Sequence, residues 1–173
     1  MTTVNPVTAA ADRLVDSAAR TIAGAPSCWI ATTNERGGPR LRPMGRLPPE
    51  PGDDPFRLRF LTDGRSKKAA DIRRAGRVAL VFQREEEAFV GLSGAARLDE
   101  DPAEVRRRWK RGYDPFFPAD EDKASAVFLT VDADRLDLWI RGVTPEPFGL
   151  KTTTLERNSE GQWRLMSGDA KPT

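Results

Sequence analysis

The chain has 173 residues, a formal net charge of +2, 38% hydrophobic and 31% charged residues, and one cysteine, Cys28. This length suits one domain with a single core across 1–173, and a lone cysteine excludes an internal disulfide and any cysteine-cluster metal site. There is no histidine, so Ser-His-Asp and Cys-His catalysis and the usual zinc sites are excluded, and an enzyme of this composition leans on a cofactor.

Met1 to Pro6 carries no basic patch followed by an apolar run, so no secretory leader is predicted. No apolar stretch of about 18 residues occurs either. The expectation is a cytoplasmic protein with no membrane contact. A helical N-terminus is predicted over 7–24, because Leu14, Val15, Ala18 and Ile22 recur at helical spacing and Pro26 stops the run. Then "SCWIATTN" reads as a strand, "ERGG" as a turn and "PRLRPMGRL" as the returning strand. On that second strand Arg40, Arg42, Met44 and Arg46 share a face, opposite Leu41, Pro43 and Leu47. Residues 47–55 are a loop by composition. "FRLRFLT" alternates strictly and is predicted to lie beside the arginine strand, since only a loop joins them.

Next comes "DGRSKKAADIRRAG", a turn and a helix whose start carries Arg65, Lys67 and Lys68. A helix N-terminus is already positive and favours acids. Cations there make sense if they surround an anion. Backbone N–H groups, the Ser66 hydroxyl and the Lys67 and Lys68 ammonium groups form a candidate phosphate receptor, with Thr62 at the strand end able to add a hydroxyl. A solvated basic helix face is the plainer alternative. Downstream, "RVALVFQ" is apolar on both faces and predicts a central strand. "AFVGLSGAARL" predicts a longer strand, with Gly91 and Gly94 marking a bulge or close backbone approach. Asp101 and Pro102 open a helix, "DPAEVRRRWKR". Its arginines read as a solvated face beside Val105 and Trp109, so a nucleic-acid contact is disfavoured. An irregular linker follows over 112–124. "AVFLTVDA" and "RLDLWI" predict two paired strands turning at Asp132 to Asp134, with Trp139 on the polar face of the second. The tail predicts a hairpin over 151–166. About eight strands with few intervening helices point to an antiparallel barrel.

The order "RPMGRL … FLTDGRSKK … RVALVF … GLSGAARL … LDLW" resembles the pyridoxamine 5′-phosphate oxidase-like, FMN-binding split-barrel family, in its general-stress-protein type. The resemblance spans roughly residues 25 to 141. It implies a mainly β, antiparallel split barrel of six strands with flanking helices, assembled as a homodimer with FMN at the subunit interface. It also implies flavin contacts from Arg42, Pro43, Met44, Gly45, Leu61 and Thr62. Phosphate contacts would come from Ser66, Lys67 and Lys68, and Trp139 would be contributed across the dimer. The oxidase proper uses a late Arg and His for its phosphorylated substrate. Here "IRGVTPEPFGLK" follows Trp139 without a match, so pyridoxamine phosphate oxidation is not expected. The implied function is an FMN-dependent oxidoreductase acting on a small molecule. The alternatives are a deazaflavin-dependent reductase of the same fold and a non-enzymatic flavin-binding stress protein.

Overall fold

The computed structural model describes residues 6–166. In chain order the elements are α1 (Pro6–Ala23), β1 (Ser27–Thr33), β2 (Pro39–Gly45), β3 (Arg57–Asp63), α2 (Lys67–Ala75), β4 (Arg77–Arg84), β5 (Ala88–Asp99) and α3 (Pro102–Arg108). A 3₁₀ helix (Arg111–Phe116), α4 (Asp120–Ser125), β6 (Ala126–Ile140), β7 (Thr153–Arg157) and β8 (Trp163–Leu165) complete it. The eight strands form one sheet ordered β2-β1-β4-β5-β6-β7-β8, with β3 pairing β6 off that path, and every pairing is antiparallel. Six strands make the barrel-like body, and the C-terminal hairpin extends it alongside β6.

The core follows the alternation of the strands. Ile30, Phe60, Leu80, Phe82, Val90 and Leu138 are fully buried on the inner face. Ala11, Leu14, Ala18 and Ile22 of α1 pack against it at helical spacing. A second, smaller cluster lies on the other side of β6. There Phe128 meets Val105 and Phe117, with Trp109 and Tyr113 packed against them. The 100–125 segment is therefore a cover rather than a linker. Asp101 caps α3 by accepting from the Ala103 amide, with Pro102 in the first turn.

Three expectations need correction. β2 and β3 are not laddered neighbours: β2 pairs β1, β3 pairs β6, and Leu47 N donates to Arg59 O at 2.9 Å across the gap between them. The reason is length, because the loop over 47–55 is long enough to carry the chain across the barrel mouth. The barrel is thus open along a seam. Second, β6 is one strand of 15 residues and not a hairpin. Its first half pairs β3 and the end of β5, and its second half pairs the start of β5 and β7. Third, β4 is central but buried on one face only. Val81 is 45% exposed on the outer face, next to Trp29 at 54% and near Leu41 at 59%. That apolar face is uncovered in a single chain.

β5 and β6 can bend together because their register shifts between Ser93 and Gly94. A Cβ at Gly94 would lie 2.0 Å from the Asp132 carbonyl oxygen and 2.7 Å from Ala133 Cα. At Gly91 the nearest contact would be an ordinary 3.6 Å. Gly94→Ala is expected to destabilise the protein by about 3 kcal/mol, and Gly91→Ala by less than about 0.5 kcal/mol. Urea denaturation midpoints check both, and equal shifts would contradict the bulge.

Candidate functional site

The start of α2 sits where the end of β3 turns back over β1 and β2. Ser66 is the N-cap, and its Oγ accepts from the Ala69 amide at 3.2 Å. That bond uses a lone pair, so the hydroxyl proton stays available to a ligand. Gly76 closes the helix in the left-handed region at φ 64°, donating its N–H to the Ile72 carbonyl. The helix is therefore fixed at both ends.

Under the helix lies Asp71, a carboxylate only 1% exposed. The Thr32 hydroxyl donates to its Oδ2 at 2.8 Å, and Arg40 Nη1 donates to the same oxygen at 2.8 Å. Arg74 Nη2 reaches Oδ1 at 3.3 Å. Burial alone would raise the Asp71 pKa. The bonds from Thr32 and Arg74 and the charges of Arg40 and Arg74 more than offset it, and the group stays ionised below its ordinary range.

Arg42 behaves differently from Arg40. Both of its terminal nitrogens lie 3.1 Å from Thr32 Oγ1 and donate to it. Among the described residues no carboxylate is within ion-pairing distance of Arg42 or of Lys68. Both side chains are half-buried. Burial, followed by the charge of Arg42, holds the Lys68 pKa below the ordinary lysine value. For Arg42 the main cause of a lowered pKa is again burial. Two like charges are thus held together, partly dehydrated and without a partner.

Arg65, the first of the three cations before the helix, does not join them. It pairs with Asp63 at 2.8 Å and Asp122 at 3.0 Å, clasping α4 to the turn before α2. Lys67 is exposed at the helix start.

Beside this cluster a cavity of about 550 Å³ opens over the β2–β3 seam. Gly45, Arg46 and Leu47 line one side, and Leu61, Thr62 and Asp63 the other. Its roof is the 100–125 segment, through Tyr113, Phe116 and Phe117, with Asp122 at the rim. Phe116 is 77% exposed, an unusual position for a phenylalanine with no structural load. Over 112–124 this roof reads from the sequence as an irregular linker, because its aromatics sit in a stretch without periodicity.

The ten expected residues divide into three groups. Arg42, Ser66, Lys67 and Lys68 gather at the helix start. Gly45, Leu61 and Thr62 line the adjoining cavity. Met44, Pro43 and Trp139 go elsewhere: the Met44 side chain is in the core, while Pro43 is exposed on the outer face. Trp139 is half-buried on that same outer face, opposite Phe89 of β5 and four strands from β2. At about 4.8 Å per strand that is roughly 19 Å along the sheet, so Trp139 and Arg42 do not meet within one chain. Thr32 and Asp71 were missed. Neither belongs to a local pattern: Thr32 alternates like any strand threonine, and Asp71 finds its partners on β1, β2 and its own helix only in the fold. Cysteine chemistry is absent from the site, because Cys28 is buried and burial, opposed by Arg46, pushes its thiol up to about 12.

The open antiparallel sheet with its seam is the architecture of a split barrel. It is shared by a protein related to general stress protein 26 of B. subtilis, of the pyridoxinephosphate oxidase family, from Clostridium acetobutylicum. The TM-score is 0.67 at 17% identity, covering 84% of this chain and 95% of that one. A pyridoxamine 5′-phosphate oxidase-related, FMN binding protein from Nostoc punctiforme matches with TM-score 0.60 at 18% identity, covering 95% and 98%. A structure named F420 Reductase matches with TM-score 0.50 at 18% identity, covering 66% and 91%. No curated protein matches the chain. The family model described as pyridoxamine 5′-phosphate oxidase matches residues 14–140, and the chain belongs to that family.

The unpaired cation has a measurable consequence. A lysine pKa lowered by folding penalises the charged form at every pH below its folded value, and the penalty is relieved as pH rises toward the ordinary lysine pKa. Lys68→Met keeps the aliphatic stem and removes the charge. In the ligand-free protein it is expected to raise stability by about 0.5–1 kcal/mol at neutral pH. The gain should shrink as pH rises into the lysine range. Thermal melts at several pH values test this, and a destabilised Lys68→Met protein would refute it.

Proposed function

We propose that this protein binds FMN at the interface of a homodimer and acts as a flavin-dependent oxidoreductase on a small, non-phosphorylated substrate. The observation that carries the reading is the pair Arg42 and Lys68, two half-buried cations without a carboxylate. Several neighbours have one: Arg40 and Arg74 share Asp71, Arg65 takes Asp63 and Asp122, and Arg73 takes Glu100, while Lys67 is exposed and Arg46 donates to the Ala23 carbonyl. Leaving this pair unneutralised costs folding energy. A phosphate at the start of α2 offsets that cost through charge-assisted hydrogen bonds and the helix dipole. Ser66, Lys67 and Thr62 add donors within the same turn.

The rest of the site follows from chain continuity. Pro43, Met44 and Gly45 extend the Arg42 strand toward the seam cavity, with Met44 contributing backbone alone. Leu61 and Thr62 do the same on the β3 side. An elongated ligand anchored at its phosphate end would therefore lay its flat end along the seam. Bound FMN supplies hydride and electron transfer at its ring, which requires no histidine. Trp139 of the partner subunit completes the site in this reading. The uncovered outer face bearing Trp29, Val81 and Leu41 is the apolar surface a second copy would bury.

The cavity also speaks to the substrate. Its charged lining is Asp63 and Asp122 against Arg46 alone. Asp63 and Asp122 are both tied to Arg65, so a second phosphate would find Arg46 as its one cation in the lining, whereas Tyr113, Phe116, Phe117, Leu47 and Leu61 favour an apolar or aromatic molecule. Pyridoxamine phosphate is therefore a poor candidate. A deazaflavin is the competing cofactor, since its tail also presents a phosphate to the same anchor.

Four measurements test this. The native protein should be yellow, and mass analysis of the released chromophore should separate FMN from a deazaflavin; a colourless protein that takes up neither would end the proposal. If the flavin is bound but neither nicotinamide donors nor oxygen turn it over, the protein is a flavin carrier and not an oxidoreductase. Lys67→Ala with Lys68→Ala should weaken FMN by about 2–4 kcal/mol and leave riboflavin, which lacks the phosphate, almost unaffected. Equal losses for the two ligands would remove the phosphate assignment. Val81→Glu should convert a dimer to monomers by light scattering and release the flavin; an unchanged dimer would place the interface elsewhere.

A further inference from the structure

The contacts beneath α2 point beyond the receptor to what aims it. The Thr32 hydroxyl has one proton and two possible acceptors: Asp71 Oδ2 at 2.8 Å and the Arg40 carbonyl at 3.5 Å. The shorter, charged acceptor wins. With its proton committed to Asp71, the Thr32 oxygen turns its lone pairs toward β2. Arg42 fills that position, donating from both Nη1 and Nη2 at 3.1 Å. Thr32 is 3% exposed and Asp71 1%, so water does not compete effectively for these bonds.

We propose that Asp71 and Thr32 form a positioning relay that sets the orientation of Arg42 for the ligand's phosphate, resting on the reading of Arg42 and Lys68 as its receptor. A direct Asp71–Arg42 ion pair would hold the guanidinium equally well, but it would neutralise the charge the phosphate needs. Placing a neutral hydroxyl between them fixes the arginine and leaves its charge unspent. Arg40 on Oδ2 and Arg74 on Oδ1 hold the carboxylate from either side, which opposes its swinging toward Arg42.

The relay makes an unusual prediction, because two accounts of Asp71 differ in sign. If Asp71 were only a nearby negative charge, Asp71→Asn would tighten FMN by removing repulsion. The relay predicts the reverse: Asp71→Asn weakens FMN by about tenfold while riboflavin changes less than twofold. Thr32→Val, which removes the hydroxyl at constant volume and constant charge, should weaken FMN to a similar extent, and Thr32→Ser should restore it. Titration of the flavin-stripped full chain with FMN and with riboflavin gives the selectivity ratio, which a general loss of packing would not move. Retained selectivity in Thr32→Val, or tighter FMN in Asp71→Asn, overturns the relay. Lys68→Ala serves as the control for the underlying reading. If it abolishes FMN selectivity while Thr32→Val does not, the receptor stands and the relay falls. If the wild-type protein never distinguishes FMN from riboflavin, both fall. Should Thr32→Val fail to fold, Asp71→Asn and Thr32→Ser decide alone, through the sign of the first and the wild-type behaviour of the second.

Discussion

One buried carboxylate makes the basic end of this molecule possible. Arg40, Arg42, Lys68 and Arg74 converge from β2 and α2, and Asp71 is the anion among them. Without it, mutual repulsion would splay the cations into solvent, and α2 would lose its tie to β1 through Thr32. With it, the cluster is held but left three charges short of neutral. Burying Asp71 is affordable only because each of its oxygens accepts a charge-assisted hydrogen bond. The same arrangement fixes the helix start against the strands, so the proposed anchor is rigid before any ligand arrives.

The fold is unfinished in two places, and each has a physical cause. The seam exists because β3 crosses the barrel mouth and pairs β6, meeting β2 near Leu47 and Arg59. The outer face is bare because β4 is apolar on both sides while the chain covers one. A strand sequence of that kind is costly to expose. In the proposed dimer a second copy covers it, and Trp139 lies on the same face.

Much of the local structure was legible, and the failures share a cause. The termini of α1, the β1–β2 hairpin, the C-terminal hairpin and the cap of α2 follow from short-range signals, such as Ser66 three residues before Ala69 and Gly76 after the last helical turn. Topology does not follow from such signals. Nothing local says that β3 leaves β2 for a partner about 70 residues away, or that β6 runs straight through Asp132 to Asp134 because Gly94 bends its neighbour. The proposed receptor was legible as Ser66, Lys67 and Lys68, while the residues beneath it were not. Thr32 looks like any alternating strand threonine, and Asp71 like any helix surface acid. Their roles appear when β1 passes under α2. Arg65 misled, since its partner Asp122 is 57 residues away.

That pairing has its own consequence. Arg65 adds exposed ion pairs, which contribute about 0–1 kcal/mol each and fade with salt, to the packing of Phe117 and Tyr113 on Phe128 that holds the aromatic roof. The cavity therefore has a floor of hydrogen-bonded strand ends and a packed ceiling from which Phe116 alone stands free. Phe116 lies outside the packed cluster, so substitutions there would reshape the cavity mouth at little cost to the fold beneath it.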